Sequence, residues 1–173
     1  MENNMKETLK GFTKAELTEN IDWNLDTGVG VWIKARRGCK LGAEVGAYHS
    51  QGYRHIKIKG KNLRVHRIIY FLTHGHCPKY IDHINQIKDD NRIDNLRGCT
   101  QQENLRNRRI AKNNKSGYKG VCWNKQRNKW RAQIRINGKS IHLGYFGCPK
   151  EASEAYETRA KIEFGEFYKE EKS

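Results

Sequence analysis

The chain has 173 residues, with 34 Lys and Arg against 19 Asp and Glu, a formal net charge of +15 and a pI of about 9.7. Hydrophobic residues make up 36%, below the ~45–50% of typical globular domains on a count that includes Gly. This argues against one large core and for small sheet-and-helix modules. The longest apolar run, Ile68 to Leu72, is too short to span a membrane, and the N-terminus lacks the apolar stretch of a signal peptide. The expectation is a cytoplasmic protein whose partners are polyanions and not membranes.

Residues 1–65 read as β-rich. Asp26-Thr27-Gly28 is a turn signal, followed by alternation at Val29, Val31 and Ile33. A second alternating run, Tyr53 to Ile58, leads through Lys59-Gly60-Lys61-Asn62 into Leu63-Arg64-Val65, a predicted hairpin. From His66 to His74 apolar residues recur at helical spacing, and Gly75 and Pro78 stop the helix. Tyr80–Ile84 is a predicted strand, Asn85–Asn91 a polar loop, and Leu96–Cys99 a second strand. Thr100-Gln101-Gln102-Glu103 matches a capping box, so a helix should follow with Asn104 near its first turn.

The polar, basic stretch Asn107–Ser116 reads as a linker. Beyond it, Tyr118–Trp123, Lys129–Ile136 and Lys139–Leu143 look like three strands, with Asn137-Gly138 as a tight turn. Pro149 opens a helix on which Ala152, Ala155, Tyr156, Arg159, Ala160 and Phe164 recur, and Gly165 ends it. Five cysteines (Cys39, Cys77, Cys99, Cys122 and Cys148) lie far apart, with no zinc-ribbon or knuckle spacing. They are expected to be reduced thiols, and no structural zinc is expected.

The chemistry concentrates in Ile81-Asp82-His83-Ile84-Asn85, then Asn91 to Arg97, then Asn104. Hydrolysis of a phosphodiester needs an activated water, stabilisation of developing charge and neutralisation of the leaving oxygen. Asp82 offers a hard anionic oxygen and Asn104 a neutral one, a pair that suits Mg²⁺ completed by water and phosphate. Alternation along a strand points Asp82 and His83 to opposite sides, so the loop must bring His83 round. Taken singly, each of these residues has a structural reading, with Asn91 and Asn95 as turn formers. His66 reads as a packing or phosphate residue, and His74 with His76 as a polar helix end.

The segment resembles an HNH endonuclease of the ββα-metal class, in the branch common among phage and intron-associated homing enzymes. The matching residues are Asp82-His83, then Asn95-Leu96-Arg97, then Asn104, with the lead-in Val65-His66-Arg67. The resemblance implies that Asp82 and Asn104 bind the metal, that His83 is the general base, and that Asn95 braces the loop and orients His83. Asn104 stands where many members carry histidine, which favours Mg²⁺ or Mn²⁺ over zinc or nickel.

From Lys112 to Leu143 there are nine Lys or Arg and no acidic residue, whereas from Gly144 onward five basic residues meet seven acidic ones. The charge is therefore expected on the sheet. Trp130, Ala132, Ile134 and Ile136 share one strand face and should pack on Ala155, Tyr156 and Ala160, while Arg131, Gln133 and Arg135 share the other. In a major groove Arg can read guanine and Gln adenine.

Residues 116–168 resemble the APETALA-two/ethylene-response-factor DNA-binding domain. The matching residues are Ser116 to Val121, Trp130 to Ile134, Leu143 to Phe146 and the Ala-rich helix. That resemblance places contacts on Lys119, Gln133, Arg135 and His142, but Cys122, Asn124 and Ser140 replace family arginines, so plant-type specificity does not transfer. Arg131 on the polar face and Arg106, Arg108 and Arg109 near the linker join the expected DNA contacts, and Trp123 is either a groove contact or a core edge.

The combined reading is an α+β protein. Residues 1–110 form an HNH module, with a β-rich lead-in over 1–65 and a ββα-metal core over 66–110. Residues 111–173 form a three-stranded sheet with one helix. The expected function is site-directed hydrolysis of double-stranded DNA with one divalent ion, in a phage or mobile-element enzyme that uses no small-molecule cofactor. A DNA-binding regulator with an inactive nuclease module is the main alternative, and an RNA-binding protein a weaker one. No heptad or apolar dimer stripe assigns an oligomeric state.

Overall fold

Two tryptophans organise the first part of the molecule. In the computed structural model, which describes residues 8–35, 38–107, 110 and 113–168, the chain divides into two units, one ending at Asn104 and the other beginning at Leu105. The first opens with a short helix, α1 (Lys14–Thr18), whose Thr13 cap and Glu16 form a reciprocal capping box. A hairpin of β1 (Ile21–Asn24) and β2 (Val29–Trp32) follows.

The inward residues of β2 are Gly30 and Trp32, while Ile33 is 47% exposed. This corrects the expected inward alternation at Val29, Val31 and Ile33. The cause is the indole of Trp23, which lies across its register partner Gly30, where a Cβ would come within 2.6 Å of the ring. Burying two indoles removes more apolar surface than burying the β-branched positions would. The Trp23 N–H donates to the Leu17 carbonyl at 2.9 Å, so α1 satisfies the buried indole.

A second sheet, in the order β3 (Ala47–Tyr48), β4 (Arg54–Ile58) and β5 (Lys61–Arg64), turns at Lys59-Gly60. Both turn residues have positive φ, 44° and 81°, which matches the right-handed twist of the strands. α2 (Val65–His74) buries Ile68, Ile69 and Phe71 and stops at Gly75, whose N–H returns to Phe71. A third sheet pairs β6 (Tyr80–His83) with β7 (Leu96–Cys99) and leads into α3 (Gln101–Arg106). Ile81 and Leu96 tie this hairpin to the core made by α2 and the tryptophans.

The second unit is a meander of β8 (Val121–Asn124), β9 (Lys129–Ile136) and β10 (Lys139–Phe146), covered by α4 (Pro149–Phe164). β10 runs three residues beyond the expected end at Leu143, across a bulge between His142 and Gly144. On α4 the buried apolar residues are Ala152, Ala160 and Phe164, with half-buried Tyr156 beside them, packed around Val121, Ala132 and Ile134. Ala155, expected against the sheet, is half-buried and outside both clusters. No described helix is long and apolar enough to cross a membrane.

The β1–β2 hairpin also supports the loop between β6 and β7. Ile93 N–H donates to Leu25 O at 3.1 Å, and Gly28 (φ +72°) lies against the loop backbone. A Cβ at Gly28 would come within 2.2 Å of the Asn91 carbonyl carbon and 2.4 Å of Arg92 N. Both the left-handed φ and the backbone contact penalise a side chain here. Gly28→Ala should therefore destabilise the first unit by more than about 1 kcal/mol, seen as a thermal midpoint lowered by about 4 °C or more. An unchanged midpoint would contradict this packing.

Candidate active site and nucleic-acid interface

Pairing Tyr80 with Cys99 across β6 and β7 brings Asp82 opposite Arg97. Asp82 Oδ2 accepts from Arg97 Nε at 3.0 Å and from Nη2 at 2.8 Å, with the carboxylate buried and the guanidinium side chain half-buried. A buried carboxylate needs such a partner, since an uncompensated charge there would cost several kcal/mol (roughly 3–5).

The neighbouring His83 is 5% exposed and faces His66 of α2 and Tyr53, the residue before β4. Its ring centroid lies 5.0 Å from that of His66 and 5.9 Å from that of Tyr53. Its Nε2 is 3.4 Å from Asn91 Oδ1, long for a hydrogen bond but within reach of one. Burial pushes the His83 pKa below the usual imidazole value, against the opposing pull of Asn91, Asp82 and Asp90. Burial, reinforced by His83, drives His66 well below that value too. His66 Nδ1 is buried without a hydrogen-bond partner.

The loop is folded around Asn95. Asn95 Oδ1 accepts from Asn85 N at 2.9 Å, Nδ2 donates to Asp90 O at 2.7 Å, and its carbonyl receives the Ile84 N–H at 2.9 Å. Asp90 in turn accepts from Asn85 Nδ2 and from Arg92 Nε and Nη2. The Arg92 bonds hold its carboxyl down at about 2. Asp89 is gripped from the second sheet by Arg54 and Tyr48. Asn95 thus braces the loop, and it is Asn91 whose carboxamide oxygen faces the His83 ring. Asn91 reads from sequence as a turn former. Its contact with His83 spans the whole loop, so only the Asx-rich composition pointed to it.

Asn104 lies on α3, where Thr100 and Glu103 form the expected capping box. Its N–H donates to Thr100 O at 3.1 Å, and its carboxamide makes no hydrogen bond among the described residues. Asp82 and Asn104 are thus a buried carboxylate and an uncommitted amide oxygen. Among the described residues no group of three or more His, Cys, Asp or Glu could hold a metal. A hard cation that keeps most of its positions for water and phosphate fits this donor set. His74 and His76 both pack on Tyr70 at the end of α2.

In the second unit, register places Arg131, Gln133 and Arg135 of β9 on the sheet face away from α4, with His142 opposite Gln133 and Ser140 opposite Arg135. Arg135 is exposed and its Nε donates to Gly138 O at 3.2 Å. Arg131 donates to Cys122 Sγ at 3.4 Å, while its Nε is buried without a partner. Lys119 is half-buried, just before β8. Trp123 pairs with Trp130, with the two rings 5.1 Å apart, on the α4 side of the sheet. It is 43% exposed. It sits at the open edge of that face, away from the Arg131, Gln133 and Arg135 row. Arg106 stacks 4.5 Å above the Phe164 ring. Arg108 and Arg109 lie outside the described residues.

Comparison with known proteins agrees with this geometry. The family model described as HNH endonuclease matches residues 63–106, and the AP2 domain model matches residues 116–162. The chain is 33% identical over 101 residues to Protein 3.8 of Escherichia phage T7, covering 57% of this chain and 84% of that protein. It is 32% identical over 108 residues to "Uncharacterized HNH endonuclease L560" of Acanthamoeba polyphaga mimivirus, covering 61% of this chain and 55% of that relative. The chain thus spans about half the length of the mimivirus protein. No solved structure matches. The chain carries an HNH endonuclease domain followed by an AP2 domain.

Proposed function

We propose that the protein is a divalent-metal-dependent, site-directed DNA endonuclease of a phage or mobile element. In this reading residues 1–110 are the cutting module and residues 111–173 the targeting module. The observation that carries it is His83, buried, with Nε2 facing Asn91 Oδ1 and a pKa lowered by burial. A neutral ring so oriented carries its proton on Nε2 and its lone pair on Nδ1.

Nδ1 accepts the proton of the attacking water. The water oxygen bonds to phosphorus, the bond from phosphorus to the 3′ oxygen breaks, and the leaving 3′ oxygen takes a proton from solvent water. The products carry 5′-phosphate and 3′-hydroxyl ends. Asn95 holds the loop that fixes Asn91, and Arg97 orients Asp82. Mg²⁺ or Mn²⁺ held by Asp82 and Asn104 would neutralise charge on the phosphate and the leaving oxygen. On the targeting sheet Arg131, Gln133, Arg135 and His142 face the groove, with Lys119 at its edge. Both relatives are viral proteins, which fits a phage or mobile-element origin.

Plasmid relaxation tests the chemistry. With Mg²⁺, only wild-type protein should nick or linearise supercoiled DNA, and EDTA should stop it. His83→Ala should lose about 10²–10⁴ in rate, and Asp82→Ala should abolish cleavage, with duplex binding intact in both. A wild-type protein that binds duplex yet leaves plasmids whole with Mg²⁺ or Mn²⁺ would be a regulator instead. Arg135→Ala should relax sequence discrimination by about 1–3 kcal/mol in a binding-site selection. A uniform loss with a shallower salt dependence would assign Arg135 to phosphate.

A further inference from the structure

A pocket of about 430 Å³ opens in the first unit, between the segment around Lys10, the start of α2 and the β4–β5 hairpin. Its polar lining is Lys10, His49, His55, Asn62, Arg64 and Arg67, with no carboxylate. Other basic residues of this unit, Arg54, Lys59, Arg92 and Arg97, pair with acids. The three cations of the pocket pair with no acid among the described residues. Lys10 donates to Asn62 O, Arg67 to the Pro78 and Lys79 carbonyls, and Arg64 only reaches Gln51 Oε1 at 3.5 Å.

His55 adds a more specific sign. Its ring stacks on His49 with centroids 4.8 Å apart, and its Nε2 is buried without a partner. A neutral imidazole with an unmatched nitrogen beside three such cations lacks an anion that would satisfy all four groups. Burial first, then the charges of His49, Arg64 and Lys10, hold His55 below its usual pKa. An anion seated there would reverse the charge contribution.

The pocket adjoins the candidate active site through one side chain. Arg64 lies 4.7 Å over the Tyr53 ring, and that ring is 5.9 Å from His83. Lys88 covers the same ring at 5.0 Å, extending the positive surface. One DNA strand rises about 3.4 Å per phosphate, so a strand positioned at His83 brings another of its phosphates to the pocket within a few nucleotides.

We propose that this pocket seats a backbone phosphate of the DNA strand flanking the one at which His83 acts. The assignment rests on the nuclease reading and adds to it a phosphate clamp outside the Asp82, His83 and Asn104 site. The clamp fixes the register of the strand without reading its bases.

The test uses the full chain in EDTA, where binding is measured without cleavage. The His55 ring resonances are titrated with pH in three samples: protein alone, with a short duplex, and with inorganic phosphate. The proposal expects the His55 midpoint to rise with duplex. Duplex affinity is measured in parallel against salt. In Arg64→Gln the slope of log affinity on log salt should shrink by about 0.9, the loss of one phosphate contact. A His55 midpoint unmoved by duplex overturns the proposal whether or not the variant folds. A midpoint that moves with inorganic phosphate and not with duplex also overturns it, and makes the pocket a free-anion site. Plasmid cleavage by wild type is scored separately, so losing the clamp leaves the nuclease reading intact, and losing cleavage leaves the binding result readable.

Discussion

The site hangs on a single carboxamide. Between β6 and β7 the chain must reverse while keeping His83 buried, and a loop there exposes backbone groups that need partners. Asn95 supplies them, taking the Asn85 N–H, giving to the Asp90 carbonyl and pairing its own carbonyl with Ile84. Each such bond is worth about 0.5–1.5 kcal/mol net, but a buried group left without one costs about 1–3 kcal/mol. The loop conformation is therefore held more by the penalty of breaking it than by the gain of forming it. Everything else at the site follows from that closure. Asp90 is placed to clamp Arg92, Asn91 to face the His83 ring, and Asp89 to meet Arg54 from the neighbouring sheet.

Charge is distributed to suit this frame. The chain as a whole is strongly basic, which draws a polyanion towards it and speeds encounter. The immediate surroundings of His83 are different, with Asp82 matched to Arg97, Asp90 to Arg92, and two imidazoles kept below their usual pKa by burial. A cationic His83 would be a poor base, and the packing of α2 and Tyr53 around it disfavours that form. In the second unit the division is spatial: the apolar residues of β9 meet α4, and its arginines and glutamine face away.

Much of this fold is legible in the order of the residues wherever the determining interactions are local. The turns at Lys59-Gly60 and Asn137-Gly138, the Thr100–Glu103 capping box and the stop at Gly165 depend on a few adjacent residues. The resemblance supplied Asp82, His83, Asn95 and Asn104 as a group, and the strand, loop, strand, helix order of the structure agrees with it. What escaped was tertiary. The β2 alternation failed because Trp23 covers Gly30, a contact decided by size and not by period. Helix α1 was missed although Thr13 and Glu16 stand at capping-box spacing. Asn91, Arg97 and Tyr53 gained their places only when distant strands were paired. Arg97 could have been found, because pairing Tyr80 with Cys99 forces it opposite Asp82.

The central claim is that the braced loop presents His83 as a neutral imidazole with its proton on Nε2. Ring-nitrogen NMR of the ¹⁵N-labelled protein at pH 6.5 measures this directly. Burial lowers the His83 pKa, so the neutral form should dominate at a pH where an ordinary histidine is half protonated. The expected spectrum has a protonated Nε2 and an unprotonated Nδ1, and Asn91→Ala should weaken that preference. An imidazolium at pH 6.5, or a proton resident on Nδ1, would contradict the account.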